Sequence, residues 1–302
     1  MKKILQFIAM LPLILSCSNS SSDTTDYSNT NANNAGAYAS RLEIPALDER
    51  DIFITHTTSI DGKENITYSL SFNAQRKHSR WNAFTFDNSN RKDRWVRKNW
   101  EKYADTNEWV AKELEASRGS CSDPYRPDPE ILESYMPTRE QIIGSGYVRG
   151  HIIASADRLH SQEANAQTFY YSNISPMLSK FNTGVWQQLE NQVKSWGHNS
   201  AFCDTLYVVK GGTIEEGYYT SDYERTTIPT HYFMALLSVK KGIYSCVGFW
   251  FEHKSNNEKD YWKYAVTIDE LETNTGIDFF CNLTDKIEKN IERVYDKSQW
   301  RD

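Results

Sequence analysis

The chain is sparing with cysteine, with five among 302 residues, and none stands in a Cys-x-x-Cys pair or a His/Cys cluster. A structural zinc site is therefore not expected. No apolar run is long enough to span a bilayer, since the longest, Ile4 to Leu15, is too short for a permanent transmembrane helix. No Gly-x-Ser-x-Gly turn occurs, so a hydrolase using Ser155 or Ser172 would lack the usual nucleophile elbow. Positive charge is not in excess either: 34 Lys+Arg against 40 Asp+Glu leave a net charge of -6. That balance argues mildly against a protein whose main task is to hold nucleic acid. Internal repeats are absent.

Aromatic residues are plentiful, with 9 Trp, 18 Tyr and 13 Phe, so a large core can form in a polar chain. The N-terminus reads as a targeting segment. Lys2 and Lys3 precede the apolar run, which ends Leu13-Ile14-Leu15-Ser16-Cys17 and resembles a bacterial lipobox. Residues 1–16 are then a lipoprotein signal peptide, with Cys17 the acylated anchor at the cell envelope. An ordinary cleaved signal is the alternative. Loss of both lysines would take the charge to about -8 (-6 minus 2). Residues 17–40 are rich in Ser, Asn and Thr and almost lack large aliphatics, so they are expected to form a disordered tether. Residues 41–302 remain for one domain.

Periodicity predicts a mixed α+β domain with an antiparallel-rich sheet. Ile66, Tyr68, Leu70 and Phe72 alternate with polar neighbours, as do Phe84 and Phe86, and a basic loop around Arg76 to Arg80 joins the two strands. Thr205 to Val209 reads as a buried strand entering a Gly211-Gly212 turn. Tyr232 to Val239 and Ile243 to Glu252 suggest a hairpin about Lys240-Lys241-Gly242. Thr138 and Thr267 open capping boxes, and Thr284 can cap a last amphipathic helix bearing Ile287, Ile291 and Val294.

Chemistry concentrates between Gly146 and Trp196. Over residues 181–196 a helical pitch places Val185, Leu189, Val193 and Trp196 on one core-facing stripe. Asn182 and Glu190 lie on the same side, where an amide and a carboxylate oxygen suit a hard, hydrated cation such as Mg²⁺. His151 supplies a base near neutral pH, and Arg149 can fork onto phosphate oxygens. The set suits phosphodiester hydrolysis. Taken singly, each residue has a plainer role: Asn182 as a helix cap, Glu190 as a solvated helix residue, Asn173 as a turn residue, His151 as a structural histidine. Arg91 to Lys102 is either a phosphate-binding patch with stacking rings or a solvated helix face with Trp95 and Trp100 in the core. Arg158 reads as structural, paired with Asp157 or Glu163.

These motifs carry a resemblance. Arg149-Gly150-His151, Ala-Asp-Arg at 156–158, Ser-Asn-Ile-Ser-Pro at 172–176 and Asn-x-Gly-x-Trp-x-x-Leu-Glu at 182–190 stand in family order. The sequence resembles the DNA/RNA non-specific endonucleases, the ββα-metal (His-Me finger) family of Serratia-type nuclease and mitochondrial endonuclease G. The likeness extends to residues 206–212 and 228–232. It implies His151 as general base and one Mg²⁺ (Mn²⁺ as the substitute) held directly by Asn182 and through water by Glu190. Asn173 would support the site, and DNA and RNA would be substrates met by Arg149, Lys194 and an arginine within Arg76, Lys77 and Arg80. Three departures stand out: Val148 where the family has Asp, Met177 where Gln is frequent, and Lys194 where Serratia-type members carry Arg. The last keeps the charge but loses the bidentate fork. These departures motivate the alternative of a catalytically weakened envelope lipoprotein that binds nucleic acid or another polymer.

With Cys17 acylated, Cys121, Cys203, Cys246 and Cys281 are even in number and suit two disulfides in an oxidising compartment. Of three connectivities, Cys246–Cys281 with Cys121–Cys203 is preferred.

Overall fold

The computed structural model describes residues 28–143, 146–215, 218–219, 227–255 and 258–300. The proposed signal peptide and Cys17 lie outside these residues. No helix among them is long and apolar enough to cross a membrane.

The strands, in chain order, are β1 (Ile52–Ile60), β2 (Lys63–Asn73), β3 (His78–Phe86), β4 (Val148–His151), β5 (Ile174–Met177), β6 (Thr205–Gly212), β7 (Tyr218–Tyr219), β8 (Thr227–Ile228), β9 (His231–Lys240), β10 (Ile243–Glu252) and β11 (Ala265–Val266). The helices are α1 (Glu108–Ala116), α2 (Arg139–Ile143), α3 (Gln162–Gln167), α4 (Ser179–Phe181), α5 (Gln187–His198), α6 (Ile268–Thr275) and α7 (Asp285–Ile291). Seven strands form one antiparallel sheet in the order β1-β2-β3-β6-β9-β10-β11. The mixed α+β expectation, a central antiparallel sheet flanked by helices, is met.

Side chains alternate across this sheet with a period of two, and both faces are covered. Phe84, Phe86, Leu206, Val208, Met234, Leu236 and Phe249 face one layer, together with Leu189, Val193 and Trp196 of α5. Trp81, Ala83, Val209, Phe233, Ala235 and Leu237 face the other, with Ile268 and Leu271 of α6. All nine residues of β3 are buried. The alternating polar positions expected there are thus covered by the second layer.

The β9–β10 hairpin turns where expected, with Lys241 and Gly242 both at positive φ (49° and 77°), the geometry of a type I′ turn. The Gly211-Gly212 pair, by contrast, does not turn the chain. β6 runs straight through it, paired to Trp81 and to Phe233 and Tyr232. The glycines are there for close approach: a Cβ on Gly211 would sit 2.3 Å from the Arg80 carbonyl oxygen. Because backbone cannot yield as a flexible side chain does, Gly211→Ala should destabilise the fold by about 1–3 kcal/mol. A shift of the urea midpoint at constant slope would measure it, and an unchanged midpoint would refute the packing argument.

Two expectations are corrected. Residues 28–40 are not a free tether. The Asn33 amide donates to the Ala39 and Pro45 carbonyls at 3.1 and 3.0 Å and accepts from the Leu47 N–H at 3.1 Å; Asn31 donates to Glu288 at 2.8 Å. Side-chain amides satisfy backbone groups here, a source of order that counting aliphatic residues misses. The four cysteines are not paired either: Cys121, Cys203, Cys246 and Cys281 are free thiols. Three of them hydrogen-bond separate backbone carbonyls, those of Trp196, Ile291 and Ile44 respectively, and Cys121 faces Asp123.

Arg158 is indeed structural, but its partners are not carboxylates. Fully buried, it donates to the carbonyls of Asp157, Thr67 and Thr85 at 2.7, 3.2 and 3.1 Å and lies 4.4 Å above the Phe84 ring. It ties the loop after His151 to β2 and β3. Ser172 is also buried, its hydroxyl given to Asp128, which removes it as a nucleophile.

Candidate active site

A small antiparallel ribbon, β4 with β5, pairs His151 to Ile174 and Gly150 to Ser175. The ribbon can close this tightly because residue 150 has no side chain: a Cβ there would lie 2.3 Å from the Met177 sulfur. Met177 therefore packs the ribbon, and Val148 opposite it packs against the core. Ribbon and α5 together make the ββα unit.

The helix predicted over 181–196 is interrupted. After α4 the chain takes a widened turn, Asn182–Trp186, in which Gly184 leaves helical angles (φ -100°, ψ -123°), and α5 starts at Gln187. The apolar stripe is nevertheless correct: Val185, Leu189, Val193 and Trp196 are all fully buried. The widened turn still leaves Asn182 and Glu190 lining the same cleft.

That cleft, of about 160 Å³, is lined by His151, Asn182, Glu190 and Lys194 from the sequence reading, joined by Arg97, Ser155 and Asp157. His151 sits between aromatic rings, 5.8 Å from Tyr125 and 5.1 Å edge-on to Phe169. Its Nε2 is shielded and has no hydrogen-bond partner. Burial, reinforced by the charge of Arg97, pushes its pKa down to about 3. The imidazole is therefore neutral at physiological pH with its lone pair free, but so low a pKa makes it a weaker proton acceptor than the near-neutral base expected from the sequence.

Asn173 does not face the cleft. Fully buried, it accepts from the Ile153 N–H at 2.9 Å and donates to the Ile153 and Thr168 carbonyls at 3.0 and 2.8 Å, while its own carbonyl takes the Ile152 N–H at 2.9 Å. These bonds fix the backbone immediately after His151, so Asn173 is a positioning residue. Arg149 is likewise turned aside. Its guanidinium lies 3.8 Å over the Tyr125 ring and pairs with buried Glu113 at 2.6 Å. Lys194 reaches the cleft but is tied to Asp93 at 2.8 Å.

The basic loop is elsewhere. Arg80 pairs with Asp51 at 2.6 Å and Glu215 at 2.9 Å and lines a different cavity, with Gly212 and Thr275. Arg76 donates to the Glu215 carbonyl, and Lys77 occupies a positive-φ position (52°) in the β2–β3 turn. None of the three lines the His151 cleft.

Two participants were not assigned from sequence. Arg97 supplies the cleft's arginine, gripped by Asp123 at 2.9 Å, donating to Ser155 at 3.3 Å and lying 5.1 Å over the Phe169 ring. It belongs to the basic 91–102 stretch, of which Trp100 is buried and bonded to Asn165, as the core reading expects, while Arg97 lines the cleft. Lys210, fully buried, lies beneath the cleft, 2.9 Å from Asp157 and 3.1 Å from Glu190. Burial opposes its charge, but the two carboxylates outweigh burial and its pKa rises; burial pushes that of Glu190 up. A lysine inside Leu206-Tyr-Val-Val-Lys-Gly-Gly, an otherwise apolar strand, was the available signal.

The cleft suits a hydrated divalent ion. The Asn182 side chain has no hydrogen-bond partner among the described residues, and Asp157 Oδ1 is buried without one. In the cleft two carboxyl groups, Asp157 and Glu190, share the single ammonium of Lys210, so a cation meets oxygen donors that one positive charge does not saturate.

Comparison with known proteins agrees with this architecture. The sequence profile of the DNA/RNA non-specific endonucleases matches residues 49–286. Mitochondrial nuclease EXOG of Xenopus laevis is 30% identical over 199 residues, covering 59% of this chain and 54% of that protein. A nuclease of Nostoc sp. is 31% identical over 206 residues, covering 63% and 73%. The chain thus matches little more than half the length of EXOG. A chain from the crystal structure of the EndoG/EndoGI complex superposes with a TM-score of 0.55 at 19% identity, covering 77% of this chain and 89% of that one. With the profile spanning most of its length, the chain belongs to the DNA/RNA non-specific endonuclease family.

Proposed function

We propose that the protein hydrolyses phosphodiester bonds in both DNA and RNA, with a divalent metal, Mg²⁺ or Mn²⁺, at the cleft. The observation that carries this reading is the meeting of His151, Asn182 and Glu190 in one cleft. Asn182 would hold the ion directly and Glu190 would face its hydration shell, and the ion would supply positive charge beside the scissile phosphate.

The chain's own residues do the rest. His151, neutral and desolvated, takes a proton from the attacking water. Arg97, held by Asp123 and the Phe169 ring, presents N–H groups to the charge that builds on the phosphoryl oxygens. Because it is already fixed, little side-chain entropy is lost when substrate arrives. Lys210 keeps Glu190 and Asp157 in place under the cleft. No base-reading surface is needed, since the groups at the cleft suit a phosphate backbone common to both polymers. We place the domain at the bacterial cell envelope, anchored through an acylated Cys17.

Purified protein should cut plasmid and RNA with Mg²⁺ and stop with EDTA; retention of both polymers without cutting would instead select a weakened binding lipoprotein. Asn182→Ala should shift the Mg²⁺ dependence of the rate to higher concentration, by roughly tenfold or more. An unchanged titration would remove Asn182 from the ligand set.

A further inference from the structure

Across the sheet from the cleft, α6 and the end of α7 converge. Asp269 and Glu272, one turn apart on α6, meet Glu292, the residue that caps α7 just beyond Ile291. One carboxylate oxygen from each lies within 4.8 Å of the other two. The Asp269 N–H donates to the Glu292 carbonyl at 3.2 Å, which fixes the two elements in register.

Acidic clusters are common on surfaces, and alone this one would mean nothing. Glu292 is what sets it apart. It is only 5% exposed, and its Oε1 is buried with no hydrogen-bond partner. No described basic side chain comes within salt-bridge distance of any of the three carboxylates, although Lys289 and Arg293 line the same cavity as Asp269 and Glu292. A buried carboxylate oxygen without a partner is unfavourable unless a cation or a proton neutralises the group.

We propose that Asp269, Glu272 and Glu292 form a second divalent-cation site that takes Ca²⁺ and clamps α6 to the end of α7. Three carboxylate oxygens and no nitrogen or sulfur donor make a hard ligand set. Two oxygens on one Ca²⁺ can stand at most about 4.6–5.2 Å apart, so carboxylate oxygens within 4.8 Å of one another are close enough to share an ion, and Ca²⁺ accepts irregular shells of six to eight oxygens. Mg²⁺ demands a tighter octahedron and gives up water reluctantly. Asp269 is exposed, so water can complete the shell from its side. Glu272 also accepts the Phe279 N–H at 2.8 Å, which orients it. In the ion's absence, burial and the neighbouring Glu272, Glu288, Asp278 and Asp269 push the Glu292 carboxyl up to about 9. A proton is then the competing occupant. The site is independent of the nuclease reading, and its role is structural.

Ca²⁺ titration by calorimetry into the metal-free full chain, with Asn182→Ala as background to weaken metal binding at the cleft, reads this site directly. One equivalent should bind, and Ca²⁺ should raise the melting temperature over an EGTA control. Adding Glu292→Gln should lower Ca²⁺ affinity at least about tenfold and abolish the Ca²⁺-dependent melting shift. Asp269→Asn, an exposed position that cannot unfold the protein through packing, should weaken binding in the same direction. Plasmid cleavage by the Glu292→Gln single variant should match wild type. The proposal is overturned if the Asn182→Ala protein binds no Ca²⁺, or if Glu292→Gln binds it as tightly. A Glu292→Gln protein that melts higher, with a parent indifferent to Ca²⁺, would identify the cluster as proton-sharing and likewise overturn it.

Discussion

Replacement of His151 by alanine should lower plasmid and RNA cleavage by about 10²–10⁴-fold, the usual contribution of a general base. The fold should survive, because the ring sits at the edge of the aromatic layer formed by Tyr125 and Phe169 and makes no hydrogen bond that holds the backbone. The backbone there is secured instead by Asn173 and the β4–β5 pairing. Circular dichroism and melting separate lost chemistry from lost structure. Added imidazole restoring part of the rate would mark a missing base. Cleavage by His151→Ala at the wild-type rate would remove His151 from the mechanism.

The largest effect on stability is expected at Lys210. Its ammonium is fully buried and holds two carboxylates, Asp157 and Glu190. Lys210→Met preserves the stem's packing but leaves both carboxylates without a cation, a change that costs about 3–5 kcal/mol. The pH dependence has a definite sign. Burial already raises the Glu190 pKa, and its second cause for rising is Asp157, against which Lys210 works. Without the lysine the folded state binds protons more tightly than the unfolded chain, so stability must fall as pH rises. The deficit relative to wild type should therefore be greatest in alkaline buffer and shrink on acidification through the raised carboxyl pKa. Urea midpoints across that range would test it, and a pH-independent deficit would show that the carboxylates are not the cause.

Both predictions rest on residues of unequal legibility. Asn182 and Glu190 could be read because they stand eight residues apart on one largely helical segment, and His151, 31 residues before Asn182, because its short motif precedes theirs in family order. The buried stripe Val185, Leu189, Val193 and Trp196 was legible for the same reason. Arg97 and Lys210 come to the cleft from other elements, through the placement of a 3₁₀ helix (Arg97–Tyr103) and of β6, and no spacing along the chain encodes that. Arg149 shows the converse. Adjacent in sequence to the base, it is drawn away by Glu113 and Tyr125, which stand 36 and 24 residues upstream.

Alternation of apolar residues determined the antiparallel strands, and the order of short motifs determined the family, since each depends on neighbours within a few bonds. Whether Gly211-Gly212 would turn or run straight, whether the thiols would pair, and which arginine would line the cleft depended on what lies across the sheet. Those outcomes are set by contacts between segments far apart in the chain, whose energies exist only once the sheet has brought them together.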